Sequence, residues 1–375
     1  MKKINISLVL LMLFLTACGQ ATSNKNVQPK SVPTAAAAGE DTSVLDVPTT
    51  VATQLVIATS TETPPTETTV PATAIPNPMS IEAARLRTYP GSDIVIEKEF
   101  TAAANYHRYY ASYLSDGLKI YGLLTIPDGP MPAGGWPAIV FNHGFIPPTM
   151  YRTTERYLAY VDWLARAGYV VYKIDYRGND QSEGVATGAY GDPGYTDDVL
   201  NALSSLKRYP QVNPNKIGMW GHSMGGFLTL RAMVISKDIK VGVIWGGVVG
   251  SYSDMMYKWH VHNGPTPTPQ PELQGEGHGW HAWINQYGTP AQNPQFWDSI
   301  SATSYLADLS GPLQLHHGEA DTEVPIAFSE NLAQNVRAVG GTAEFYTYPG
   351  NDHNISQSFS LAMTRTIQFF DHYLK

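Results

Sequence analysis

The feature that most constrains the fold is a regular alternation of strand-like and helix-like segments after Met79. Residues 136–142 and 169–175 are short apolar runs of the kind that is buried in a parallel sheet, and an amphipathic stretch, 155–167, separates them. The order continues with helices at 195–209, 225–235, 327–339 and 359–373, and with strands at 216–220, 241–245, 312–316 and 343–348. This alternation predicts an α/β fold in which a mostly parallel sheet carries helices on both faces.

Three further segments, 94–100, 106–114 and 118–126, precede this alternation and predict early antiparallel strands. With 375 residues, of which 43% are hydrophobic, the chain can bury one sizeable core. The formal net charge of −8 provides no basic surface for a phosphate backbone, so we expect no nucleic-acid partner. Functional groups are expected at the carboxyl ends of the parallel strands.

The N-terminus has the pattern of a targeting segment. Lys2 and Lys3 precede an apolar run, 4–15, that is shorter than the roughly 20 residues of a membrane-spanning helix. The ending Leu15-Thr16-Ala17-Cys18 resembles the lipobox of bacterial lipoproteins, and Cys18 is the only cysteine, so no internal disulfide is available. We expect a signal peptide at 1–17 and a lipid anchor at Cys18, with an ordinary cleaved signal or an uncleaved anchor as alternatives. The protein would then be exported and held at the cell-surface or periplasmic side of a bacterial membrane.

Residues 18–78 are dominated by Thr, Ala, Val and Pro, as in the run 61–69. Almost no aromatic residue and no sustained period occur there, which predicts a disordered tether. The composition changes near Met79, and 79–375 is predicted to be one catalytic domain.

The chemistry begins with Gly221-His222-Ser223-Met224-Gly225, which matches the G-x-S-x-G pattern. A strand-like segment comes directly before it and a helix-like segment directly after it, which is the context that a serine on a sharp strand-to-helix turn requires. Without that context a glycine-rich turn with an incidental serine would explain the pattern. We predict that Ser223 is a nucleophile.

A serine nucleophile needs a base, and the base needs a carboxylate that orients it. His353 is the only histidine between the last predicted strand and the final helix, which makes it the candidate base. Asp321 follows the preceding strand, where the acid is expected, and Glu319 and Glu323 are its competitors. The order Ser223, Asp321, His353 is the order this kind of fold uses.

Backbone amides must stabilise the oxyanion that develops during attack. Met224 follows the nucleophile and supplies one candidate amide, and Phe145 in the turn Asn142-His143-Gly144-Phe145 supplies the other. His143 is interpreted as a histidine that braces this turn rather than one that transfers protons.

Four motifs together resemble one family. They are the run 175–178, the G-x-S-x-G turn at 221–225 (the nucleophile elbow), the His-Gly-x-x-Asp-x-x-Val-Pro stretch at 317–325, and the Tyr-Pro-Gly-x-x-His segment that ends at His353. In order and spacing they resemble the catalytic domain of the prolyl oligopeptidase family within the α/β-hydrolase superfamily. The resemblance covers about 137–375 and implies an α/β-hydrolase fold and a serine peptidase, with no cofactor and no metal. It departs in one respect, because that family usually carries a large N-terminal β-propeller, which nothing before Met79 could form.

An irregular stretch at about 250–297 is rich in aromatic residues and histidines, and it is predicted to be a cap insertion over the site. The alternative is a packed surface excursion whose aromatic side chains bury one another. His260, His262, His278 and His281 could in principle bind a metal, but no carboxylate or strict spacing supports this.

Three functions remain open from the sequence. The first is a prolyl-oligopeptidase-like serine peptidase acting on a short peptide or other small substrate, which the resemblance favours. The second is a carboxylesterase of the dienelactone-hydrolase-like type, because related esterases share much of the machinery. The third is a lipoprotein that only binds a solute, which would not need a serine, an acid, a histidine and an oxyanion turn at this spacing.

Overall fold

The computed structural model describes residues 77–259 and 280–375. Within them the strands form a nine-stranded sheet in the order β1-β2-β3-β5-β4-β6-β7-β8-β9. The strands are β1 (Val95–Phe100), β2 (Tyr106–Ser115), β3 (Leu118–Pro127), β4 (Trp136–Asn142), β5 (Val170–Ile174), β6 (Val212–His222), β7 (Gly242–Trp245), β8 (Leu313–Gly318) and β9 (Ala343–Tyr348).

The first three strands pair antiparallel, and β3 also pairs antiparallel with β5. From β5 through β4 to β9 every pairing is parallel. The prediction of a mostly parallel sheet with early antiparallel strands is therefore confirmed. Because β4, β6, β8 and β9 run in the same direction, their carboxyl ends meet at one edge, where the predicted site residues follow them.

Helices cover both faces of the sheet. Those described are α1 (Ile81–Leu86), α2 (Leu158–Arg166), α3 (Gly194–Arg208), α4 (Met224–Ile235), α5 (Tyr252–Lys258), α6 (Trp280–Tyr287), α7 (Pro294–Ile300), α8 (Ile326–Ala338) and α9 (Phe359–Leu374). Side chains along β4 alternate between the two resulting cores. Val140 belongs to the core that α3, α4 and α8 cover on one face, and Phe141 belongs to the core that α2 and α9 cover on the other.

Helix α4 lies in the interior. Its residues from Met224 to Val234 are all buried, so it is enclosed around its whole circumference rather than along one stripe. The helix starts directly after Ser223, which places the predicted nucleophile at the end of an element that the core surrounds on every side.

Helix α2 begins at Leu158, three residues later than the amphipathic pattern predicts. The cause is Tyr157, which adopts a left-handed backbone conformation with φ 60° and ψ 17° and so cannot continue a right-handed helix. Within the described residues no helix has the length and apolarity needed to cross a membrane.

The predicted cap is described in part. His260, His262 and His278 lie outside the described residues, as does the side chain of His281. In the described part Tyr252, Trp283 and Trp297 pack their rings against one another at centroid distances of 6.0–6.2 Å. These contacts fit the alternative of aromatic side chains that bury one another, and a cap role for 250–297 stays a prediction.

Candidate active site

The turn between β6 and α4 holds Ser223 in a strained conformation, with φ 55° and ψ −119°. Two glycines make this turn possible. A Cβ at Gly221 would collide with the carbonyl oxygen of Gly225, and a Cβ at Gly225 would collide with the carbonyl oxygen of Asn142. The spacing of glycines around the serine therefore follows from backbone contacts, as the sequence pattern predicts.

Hydrogen bonds hold the strained turn in place. The Ser223 amide donates to the Trp245 carbonyl at 3.0 Å, and the Ser223 carbonyl accepts from the amides of Gly226 at 2.9 Å and Val248 at 3.1 Å. A non-glycine residue in such a conformation costs about 1–3 kcal/mol, so the surrounding contacts must maintain it.

Asp321 and His353 come from separate loops and meet beside the turn. Asp321 follows β8 and His353 follows β9, and Asp321 Oδ2 accepts a hydrogen bond from His353 Nδ1 at 2.7 Å. Both side chains are almost fully enclosed, with exposures of 1% for Asp321 and 6% for His353. The other carboxylate oxygen, Oδ1, accepts from the amides of Glu323 at 2.8 Å and Val324 at 3.0 Å.

The Asp321 carboxylate is anionic in this environment. Burial alone would raise its pKa, but hydrogen bonds from His317, His353 and the Val324 amide outweigh burial and hold the pKa well below its usual range. His317 contributes through Nε2, 3.1 Å from Asp321 Oδ2, and its Nδ1 contacts Ser329 Oγ at 2.8 Å. The sequence identifies His317 only as the first residue of the motif at 317–325. Its contact with Asp321 is found in the structure and was not predicted.

The two competing carboxylates lie elsewhere. Glu319 Oε1 accepts a hydrogen bond from Thr347 Oγ1 at 2.8 Å. Glu323 is 66% exposed, and its Oε2 lies 3.8 Å from Nε2 of His353, the ring nitrogen opposite to the one that Asp321 contacts. Of the three carboxylates, only Asp321 reaches Nδ1 of His353 in the described structure.

Ser223 and His353 line the same cleft, a cavity of about 290 Å³. His353 Nε2 is buried and has no hydrogen-bond partner among the described residues. A neutral imidazole that donates from Nδ1 to a carboxylate has its lone pair on Nε2, so this atom is able to take a proton. Arg156 and Glu323 are the guanidinium and carboxylate side chains that also line the cleft.

Two backbone amides are available where an oxyanion would be stabilised. Phe145 lines the cleft after β4, and its amide donates no backbone hydrogen bond within 77–259 and 280–375. Met224 is the first residue of α4, and the first amide of a helix has no acceptor within the helix. Both amides therefore remain free to donate.

His143 braces the turn that carries Phe145, in agreement with its interpretation from the sequence. The ring is buried, stacks on Tyr151 at a centroid distance of 4.3 Å, and contacts the Gly144 carbonyl through Nδ1 at 2.7 Å. Burial and the nearby charge of Lys173 lower the pKa of His143 to about 3, so the ring is neutral near pH 7.

Two site residues have no sequence motif that identifies them. The Tyr157 hydroxyl lies 3.0 Å from the Gly144 amide and 2.7 Å from His222 Nδ1. His222 Nε2 lies 3.1 Å from the His353 carbonyl oxygen. The sequence shows that His222 occupies the first variable position of G-x-S-x-G, but it does not indicate which residues His222 contacts.

Comparison with known proteins identifies the family. The sequence profile of the prolyl oligopeptidase family, Peptidase_S9, matches residues 156–375, more than half of the chain. The chain belongs to this family. Membership of a family of peptidases that use a nucleophilic serine, together with the elbow at Ser223, indicates a serine hydrolase. The Phe145 turn precedes the matched residues, so the structure alone relates it to the site.

Two curated relatives come from Bacillus subtilis (strain 168). The uncharacterized peptidase YuxL is 27% identical over 257 residues, which are 65% of this chain and 35% of YuxL. The uncharacterized peptidase YtmA is 27% identical over 262 residues, which are 69% of this chain and 91% of YtmA. The chain thus spans about a third of one relative and nearly all of the other.

Solved structures share the fold. The acylaminoacyl peptidase of Pyrococcus horikoshii superposes with a TM-score of 0.57 at 23% identity, over 72% of this chain and 42% of that protein. Est1E of Butyrivibrio proteoclasticus, solved with ferulic acid bound, gives 0.53 at 18% identity, over 70% of this chain and 98% of that protein. These similarities confirm the prediction of an α/β-hydrolase fold.

Proposed function

We propose that this protein hydrolyses a peptide or ester bond through an acyl-enzyme on Ser223. The observation that carries the proposal is the contact of Asp321 Oδ2 with His353 Nδ1, which leaves Nε2 free in the cleft that Ser223 lines. In this proposal Ser223 is the nucleophile, His353 the general base and Asp321 the acid that orients the base.

The proposed reaction has two halves. In the first, Oγ of Ser223 attacks the substrate carbonyl carbon while its proton passes to Nε2 of His353. The amides of Phe145 and Met224 donate to the oxyanion, and the imidazolium returns the proton to the departing amine or alcohol as the bond to the carbonyl carbon breaks. In the second, water attacks the acyl-enzyme while its proton passes to His353, and the imidazolium returns that proton to Oγ of Ser223 as the acid product leaves.

Within this reaction class we favour a peptide substrate. Family membership and the peptidase relatives support this choice.

A carboxylesterase of the dienelactone-hydrolase-like type is the second candidate. The chain covers 98% of Est1E and 93% of the Pyrococcus furiosus esterase Pf2001, at 18% and 21% identity. Nearly the whole of each esterase therefore corresponds to part of this chain. The fold alone does not distinguish ester from amide chemistry.

A panel of aminoacyl p-nitroanilides and p-nitrophenyl esters with matched acyl groups tests the proposal. We expect measurable hydrolysis of both classes and labelling of Ser223 by a fluorophosphonate, because an acyl-enzyme mechanism serves both. Hydrolysis of short peptides, followed by mass spectrometry, decides between the two candidates. Cleavage of esters with no cleavage of any peptide or anilide would establish the esterase, and absence of labelling would exclude a serine hydrolase.

We further propose that Cys18 carries a lipid that anchors the exported protein to a bacterial membrane. The lipobox-like Leu15-Thr16-Ala17-Cys18 after an apolar run supports this proposal, as does the Thr/Pro-rich composition of 18–78, which suits a spacer between a membrane and a domain.

Cys18→Ser should move the protein from the membrane pellet to the soluble fraction while its kcat stays unchanged, because the anchor and the cleft are separate in sequence. Fractionation and activity assays of cells expressing the full chain measure both quantities. Ser23→Ala, a few residues further on, is the matched control and should remain in the pellet. If Cys18→Ser stays with the membrane, the anchor is not at Cys18.

A further inference from the structure

Tyr157 has a backbone conformation that its residue type rarely adopts. Its φ of 60° and ψ of 17° place an aromatic residue in the left-handed region directly before α2. Strained residues of this kind persist where the surrounding structure holds them, and they cluster at functional sites. The conformation directs the Tyr157 hydroxyl to the Gly144 amide and to His222, at the wall of the cleft.

The protons in these contacts have only one consistent arrangement. His222 Nε2 faces the carbonyl oxygen of His353 at 3.1 Å, and an oxygen of this kind can only accept, so Nε2 carries the proton. Burial lowers the pKa of His222 to about 3, so the ring is neutral near pH 7 and Nδ1 is an acceptor. The Tyr157 hydroxyl must therefore donate to Nδ1, while its oxygen accepts from the Gly144 amide.

We propose that Tyr157 and His222 are positioning residues that tie the turn of the oxyanion amide to the loop of the base. The chain of hydrogen bonds runs from the Gly144 amide to the Tyr157 oxygen, from the Tyr157 hydroxyl to His222 Nδ1, and from His222 Nε2 to the His353 carbonyl. This inference rests on the roles proposed above for Phe145 and His353.

Each end of the chain fixes a group that the reaction needs. At one end, the bond to the Gly144 amide fixes the His143–Gly144 peptide unit, which directly precedes the unit that carries the amide of Phe145, a residue that lines the cleft. The fit is close, because a Cβ at Gly144 would lie 2.6 Å from the Tyr157 hydroxyl oxygen. At the other end, His222 holds the backbone of the very residue that acts as base. A shift in one loop is thereby resisted by the other.

The Tyr157 hydroxyl does not itself stabilise the oxyanion in this arrangement. A phenol hydroxyl can donate only one hydrogen bond, and the Tyr157 hydroxyl donates it to His222 Nδ1. Tyr157 therefore acts through Phe145 and His353 rather than on substrate. The ring packs edge-on against Phe141 and near His222, and these contacts would survive removal of the hydroxyl.

The test is Tyr157→Phe, which removes the hydroxyl and keeps the ring. We expect kcat to fall by about 10- to 100-fold with KM changed less than about threefold, because displaced oxyanion and base groups act in the transition state rather than in substrate binding. Labelling of Ser223 by a fluorophosphonate should slow by a similar factor. Tyr169→Phe is the matched control, because it also loses one hydroxyl, which donates to Asp371 Oδ1 at 2.6 Å away from the cleft, and should keep kcat.

His222→Leu breaks the chain at its second link and should also lower kcat. The double variant Tyr157→Phe/His222→Leu should lose about as much kcat as the more damaging single variant. Once one hydrogen bond of the chain is lost, loss of the next one has no further effect on the positions of Phe145 and His353. Losses that multiply would overturn the proposal, as would a Tyr157→Phe variant with kcat within about threefold of wild type.

If Tyr157→Phe does not fold, His222→Leu alone decides, and unchanged kcat in that folded variant would overturn the proposal. Failure of the proposed function looks different, because then the wild-type protein itself would not be labelled at Ser223. When the wild type is labelled and Tyr157→Phe is labelled at the same rate, only the positioning inference fails.

Discussion

Ser223→Ala is expected to abolish covalent labelling and to lower kcat by about 10³-fold or more. The variant loses the attacking oxygen but keeps the oxyanion amides and the cleft, which alone provide a small residual rate. The backbone at this position is strained for serine and alanine alike, so the melting temperature should change little.

Activity on a p-nitrophenyl ester and thermal unfolding of the same preparation measure these effects. Ser236→Ala, at the opposite end of α4, makes the same side-chain change away from the cleft and should keep full activity. A Ser223→Ala protein that is folded and turns over substrate at nearly the wild-type rate would show that the nucleophile is another group.

The second large effect is expected for Asp321→Asn, with a fall in kcat of about 10³- to 10⁴-fold. An asparagine oxygen can still accept from the amides of Glu323 and Val324, so the loop should keep its shape. Its amide group, however, would face the His353 ring as a donor, which favours the wrong tautomer and removes the anion that stabilises the imidazolium.

Glu319→Gln and Glu323→Gln serve as matched controls for this prediction, each replacing a carboxylate in the same loop with an amide. With an ester substrate both should keep kcat within about fivefold, because neither side chain contacts Nδ1 of His353 and exposed charges contribute little. The assignment of the acid fails if Asp321→Asn keeps more than about a tenth of wild-type kcat while a glutamate variant collapses with its melting temperature intact.

The alternation of segments and the glycine-flanked serine could be recognised from the sequence because both are local signals. Hydrophobic period identifies a strand or helix from neighbouring residues, and the turn at Ser223 needs glycine within two positions on either side. The carboxyl ends of parallel strands then brought the loops of Asp321 and His353 to one edge. The roles assigned to these residues remain predictions that the variants above test.

The polar chain through Tyr157 could not be recognised in the same way. It joins residues that are 65 positions apart at Tyr157 and His222, and 131 apart at His222 and His353. No periodic pattern relates such positions, and hydrophobic propensity says nothing about which nitrogen of a buried histidine meets which oxygen. The left-handed backbone at Tyr157 was missed for a similar reason, because tertiary contacts override the local preference for a continuing helix.

The crowding around Gly221, Gly225 and Gly144 limits how a chain of this kind can change its specificity. A Cβ at either of the first two positions would collide with backbone, and a Cβ at the third would collide with the Tyr157 hydroxyl, so these three glycines cannot be exchanged for larger residues. Variation must therefore act through the walls of the cleft, at residues such as Phe145, Arg156 and Glu323. A library for altered selectivity gains nothing by randomising the turn and should concentrate its diversity on these walls.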